Sequence, residues 1–108
     1  MTKYTLAEWH AEATRRFGKE ASGWKFVCPS CGHVASIMDW RDAGAEAGAV
    51  AFSCIGRYLK KKAKEAFRKG RGPCNYAGGG LIRLNPVKVI TPEGTEHEVF
   101  DFALQESA

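Results

Sequence analysis

Leu6, Trp9, Ala13 and Phe17 recur at intervals of three and four, separated by charged and small residues. That period predicts an amphipathic helix over residues 5–18. Both ends carry signals: Thr5 and Glu8 have the spacing of a capping box, and Gly18 sits where a left-handed residue closes a last turn. The period then falls to two. Residues 24–27 and 33–37 read as short strands, joined by Cys28-Pro29-Ser30-Cys31-Gly32 into a β-hairpin. Residues 39–48, rich in Ala and Gly, predict one loose helical turn and a loop.

A second helical stripe follows in Ile55, Leu59, Ala63, Ala66 and Phe67, with Ser53 placed to cap it and Gly70 to end it. Residues 71–80 hold too much Gly and Pro for regular structure and read as a loop. Residues 81–85 and 87–90 are strand segments broken by Pro86, residues 91–94 a turn, and residues 98–102 a last alternating strand. These elements predict an α+β class, with two main helices, short antiparallel strands and a CPxCG zinc-knuckle hairpin.

A chain of 108 residues supports one domain. It divides into the helix at 5–18, a zinc and ligand core at 24–86, and C-terminal strands at 87–103. No run of about 18 apolar residues is present, which excludes a spanning helix. The polar start Met1-Thr2-Lys3-Tyr4-Thr5 differs from a secretory signal, and 44% apolar residues exceed what a disordered chain carries. The expectation is a soluble intracellular protein with no membrane partner.

The net charge of +4 conceals a gradient. Residues 1–56 balance, residues 57–71 hold eight basic residues against Glu65 alone, and residues 72–108 are acidic by three charges. A single basic stripe that includes Arg57, Lys61, Lys64 and Arg68 is the footprint of a phosphate-bearing partner, and equally of a solvated helix face.

Cys28 and Cys31 have the C-x2-C spacing that lets two thiolates grip one ion from a single turn. Cys54 and Cys74 are the only other thiols and complete a four-thiolate set for Zn2+. The alternative is that only the knuckle is functional and the later pair are buried small hydrophobes; His33 is a reserve ligand. A zinc held by all four thiolates has no open position, so it would hold the fold and not activate water. His10-Ala11-Glu12 ahead of Cys28-Pro29-Ser30-Cys31 superficially matches the zinc-deaminase signature. Here the proline lies inside the cysteine pair, and too little chain precedes His10 to build a pocket floor. No Ser/His/Asp order, phosphate loop or paired carboxylates appear, and no spacing nominates His10, His33 or His97 as a base. The reading is non-enzymatic.

Two segments could hold an anion. Ser53-Cys54-Ile55-Gly56-Arg57 sets a helix start beside a glycine and a clamping arginine, with Lys61 one turn further on. Against this, the same N–H groups can serve the Cys54 sulfur while Gly56 merely packs. The loop Asn75-Tyr76-Ala77-Gly78-Gly79-Gly80 offers exposed N–H groups at Gly78 and Gly79, a ring at Tyr76 to stack on a base and an amide at Asn75 to read its edge. A bulged turn is the competing reading. A shared zinc would draw both segments into one pocket.

The blocks Trp24-Lys25-Phe26-Val27-Cys28-Pro29-Ser30-Cys31-Gly32-His33, Ala51-Phe52-Ser53-Cys54-Ile55-Gly56-Arg57 and Gly72-Pro73-Cys74-Asn75-Tyr76-Ala77-Gly78-Gly79-Gly80-Leu81 resemble a family of small four-cysteine proteins encoded by phages and prophages. The resemblance implies a viral accessory protein in the cytoplasm of a bacterial host. Some proteins of that kind disarm host defence by sequestering nucleotide immune signals. The expected function is therefore sequestration of a small phosphorylated, nucleotide-like ligand, in a homo-oligomer that Tyr4, Trp40 or Tyr58 could join. The alternatives are a nucleic-acid-binding zinc module that uses helix 57–71, and an inhibitor that docks on a host protein.

Overall fold

The computed structural model describes residues 2–59 and 73–103. Two three-stranded sheets share one aromatic core. The first has the order β1(Thr2–Thr5), β4(Val87–Ile90), β5(Glu96–Val99); the second has the order β3(Val34–Ser36), β2(Lys25–Val27), β6(Asp101–Phe102). Helices α1(Leu6–Phe17) and α2(Ile37–Asp42) complete an α+β domain.

Helix α1 forms as its pattern predicts. The Thr5 hydroxyl accepts the Glu8 N–H at 3.1 Å, and the Glu8 carboxylate accepts the Thr5 N–H at 2.9 Å. Gly18 closes the helix at φ 95° and donates its N–H to the Thr14 carbonyl. Glu12 accepts hydrogen bonds from Arg15 and Arg16, which hold its carboxyl down at about 2. The apolar stripe turns Trp9 inward, stacked on the rings of Phe26 and Phe102 with centroids 5.8 Å away in each case. Phe26, Trp40, Tyr76 and Phe100 are fully buried beneath.

Several elements differ from the sequence expectation. β1 carries no apolar alternation; it is an edge strand, and it pairs with β4 in parallel, with Thr2 opposite Val87 and Thr5 opposite Ile90. The sheets are thus not wholly antiparallel. The loose turn after Ser36 is a regular helix, because Ser36 and Asp39 form a second capping box. Residues 81–85 are irregular, with Leu81 fully exposed and the Leu84 N–H given to the Tyr76 hydroxyl. The last strand is two. Phe100 leaves the first sheet to donate its N–H to the Ala51 carbonyl at 2.7 Å, and Phe102 then pairs with Phe26 in the second. Of the predicted helix at 55–70, the described part is a single 3-10 turn, Ile55–Arg57; residues 60–72, which carry Lys61 and most of the basic stripe, lie outside the described residues. Among the described residues no helix is long and apolar enough to cross a membrane.

Candidate metal centre

The hairpin β2–β3 positions the first two thiols. Cys28 donates its N–H to the His33 carbonyl at 3.0 Å, Gly32 donates to the Cys28 carbonyl at 2.9 Å, and Gly32 takes φ 77°, which favours glycine. Cys54 enters the 3-10 turn with its N–H on the Tyr76 carbonyl at 2.9 Å, and that bond brings in the segment carrying Cys74. All four cysteines are buried, and their Sγ atoms lie within 4.8 Å of one another. Cys28 and Cys74 are 4.0 Å apart at sulfur, and Cys31 and Cys54 3.7 Å. A tetrahedron with metal–sulfur bonds of about 2.3 Å has edges of about 3.8 Å, so the chain holds its thiols at ligand spacing.

Backbone N–H groups surround the cluster. His33 donates to Cys31 Sγ at 3.5 Å, Cys74 to Cys54 Sγ at 3.4 Å and Tyr76 to Cys74 Sγ at 3.4 Å. The Cys54 thiol is brought down to about 5, chiefly by the neighbouring Cys28 thiol, with the Gly56 and Cys74 N–H groups adding to the effect. The neighbouring Cys54 sulfur holds the Cys28 thiol up, and burial adds to it; burial pushes the Cys74 thiol up to about 11. Such a cluster concentrates negative charge on one sulfur and invites a cation to displace the remaining protons. His33 supplies an N–H to the cluster, not an imidazole ligand. Its side chain lines a separate cleft of about 330 Å3 with Asp39, Asp42 and Ile55.

The predicted anion-site residues are gathered here but do different jobs. Gly56 is buried with its backbone against Cys74, and its N–H helps to bring the Cys54 thiol down. Ser53 does not cap the following turn; its hydroxyl accepts the Gly78 N–H at 3.0 Å. Gly78 is pressed against the Phe52 carbonyl. Tyr76 is only 1% exposed, so its ring presents no face to a base. Trp40 is likewise core, with its indole N–H on the Ser53 carbonyl at 3.0 Å, which removes it from any exposed interface. Arg57 and Asn75 are exposed; the Arg57 guanidinium donates to the Asn75 carbonyl at 3.0 Å and straps the 3-10 turn to the loop after Cys74.

Gly79 is exposed and lines a second, half-enclosed cleft of about 290 Å3 with Phe52, Arg83, Lys88, Glu96 and Glu98. Sequence reasoning missed the last four, because their convergence needs the β4–β5 hairpin to fold back on the glycine loop. Asn85 was missed too: its amide donates to the Phe52 carbonyl at 3.2 Å and the Glu98 carbonyl at 3.0 Å, which ties loop to hairpin.

No curated protein and no solved structure matches the chain. A family model does, over residues 5–103, a span that takes in all four cysteines and both helices. The chain belongs to the VVA0879-like family.

Proposed function

We propose that this protein is a non-enzymatic binding protein for a small phosphorylated ligand, built on a structural Zn2+ held by Cys28, Cys31, Cys54 and Cys74. An all-thiolate tetrahedral set suits zinc, or iron in thiolate sites. The sulfur spacing favours a single ion, since a multi-iron cluster would hold its thiolates further apart. Four protein ligands fill the coordination of zinc, so the ion would fasten the hairpin to the Cys54 and Cys74 segments and offer no site for water. The observation that carries the binding reading is the cleft beside the glycine loop, which Gly79 and Arg83 line together with Glu98 and the paired Lys88 and Glu96.

The resemblance to phage-encoded four-cysteine proteins supplies the setting of this proposal: the cytoplasm of a bacterial host, with sequestration of a nucleotide immune signal as the use. The eight basic residues of 57–71 support a second reading, a nucleic-acid module, whose affinity would fall steeply with salt as counterions are released.

A thermal-shift series on the purified protein separates the two. It sets cyclic and linear nucleotides beside short DNA and RNA, at low and high salt. A ligand at 100 times its Kd stabilises by about 2.7 kcal/mol, a shift that is readily measured in a domain of this size. We expect one small nucleotide to give a shift that survives salt. A shift with polymers alone, abolished by salt, establishes the second reading instead.

A further inference from the structure

Across the β4–β5 hairpin Lys88 stands opposite Glu98, yet its ammonium lies 3.3 Å from the diagonal carboxylate of Glu96. The pair neutralises itself and leaves the half-buried Glu98 carboxylate without a hydrogen bond or ion pair among the described residues. The Arg83 guanidinium, on the same cleft, is also unpaired among them, and so is the Gly79 N–H. The cleft thus presents a free cation and a free carboxylate to the same 290 Å3 space, with the Phe52 ring as its apolar wall. Asn85 braces it from behind. Its amide nitrogen is committed to the backbone of Phe52 and Glu98, and its buried Oδ1 has no partner among the described residues.

A phosphate alone would be a poor match, because a carboxylate faces the same space. The complement is a ligand that is anionic at one end and rich in N–H donors at the other. We propose that the cleft takes a guanine nucleotide, with phosphate on Arg83 and the Gly79 N–H, the base against Phe52, and the donor edge of the base on Glu98. Guanine carries an N–H and an amino group side by side, spaced to meet both oxygens of one carboxylate. Adenine offers one amino group beside an acceptor nitrogen, which would face a carboxylate oxygen in repulsion. The inference rests on the nucleotide-binding reading above and names its base.

Calorimetric titration of the metal-loaded full chain with guanosine monophosphate and adenosine monophosphate tests it, on the parent, Glu98→Gln and Arg83→Ala. The parent should prefer the guanine nucleotide by about tenfold or more, the size of one bidentate contact. Glu98→Gln should abolish that preference, and Arg83→Ala should weaken both nucleotides while the melting temperature stays near the parent's. Equal binding of the two nucleotides by the parent, or a preference that Glu98→Gln leaves intact, overturns the assignment to guanine and leaves nucleotide binding standing. No heat with either nucleotide, and no thermal shift with any other, overturns both.

Discussion

Gly56 packs backbone to backbone on Cys74, so tightly that a methyl group added to Gly56 would overlap the Cys74 carbonyl oxygen and sit 2.9 Å from its amide nitrogen. The contact lets two segments about twenty residues apart deliver their thiols to one point. Gly56→Ala must therefore push the 3-10 turn away from the loop, and should cost about 2–3 kcal/mol with loss of bound metal. Gly48→Ala meets nothing within 4 Å among the described residues and should change stability by no more than about 0.5 kcal/mol. Urea denaturation with metal analysis of both variants checks the pair. Equal stability of the two would show that the turn yields freely.

Removal of a ligand tests the metal itself. Cys28→Ser or Cys74→Ser leaves three thiols and a weak fourth donor, and should give a metal-free protein with diminished near-ultraviolet circular dichroism from its buried tryptophans. The expected zinc content of the parent is one ion per chain by elemental analysis. Cooperative unfolding and unchanged near-ultraviolet signals in both serine variants, together with a metal-free parent, would end the structural-zinc reading.

Metal uptake should depend on pH in a definite direction. The Cys28 thiol is held above its ordinary range and the Cys74 thiol is pushed up to about 11, so both carry protons at neutral pH, whereas Cys54 is already a thiolate. A bound ion needs the thiolate form, so binding releases at least those two protons. Affinity should then rise by at least about 100-fold per pH unit through neutrality and fall correspondingly with acid. Competition against a chromophoric chelator at three pH values measures the slope, and a flat profile would contradict this account of the protonation.

Tyr76 and Asn85 are predicted to serve stability and not contact with ligand. Tyr76→Phe leaves the Leu84 N–H without its hydroxyl partner and should cost about 1 kcal/mol. Asn85→Ala strips the Phe52 and Glu98 carbonyls of the donor they share and should cost about 2–3 kcal/mol. Thermal unfolding checks both values. In calorimetric titrations nucleotide affinity should be unchanged by Tyr76→Phe; a large loss would return the tyrosine to the site.

What could be read from the chain alone was local. The Thr5–Glu8 capping box, the apolar stripe of α1, the knuckle hairpin and the turn at 91–94 depend on residues within one or two turns of each other, and the structure has them all. The cysteine set was legible from count and spacing, because few other residue types gather in fours for one chemistry. Tertiary pairing was not legible. β1 has no pattern because only the edge of β4 makes it a strand, and Phe100 breaks the final strand because the Ala51 carbonyl outcompetes the sheet for its N–H. The same gap misassigned Tyr76 and Ser53: an aromatic beside glycines and a serine before a helical stripe look exposed until the core and the Gly78 N–H claim them.

Each sheet is completed only when distant parts of the chain meet, Thr2 against Val87 in one and Phe26 against Phe102 in the other. Such closures make folding slow, since most of the loop entropy is lost before either sheet gains its last strand. An ion that first gathers Cys28, Cys31, Cys54 and Cys74 shortens the loops that remain to be closed. Metal supply during synthesis would then govern how fast the chain escapes its aggregation-prone, half-paired states, independently of how stable the finished domain is.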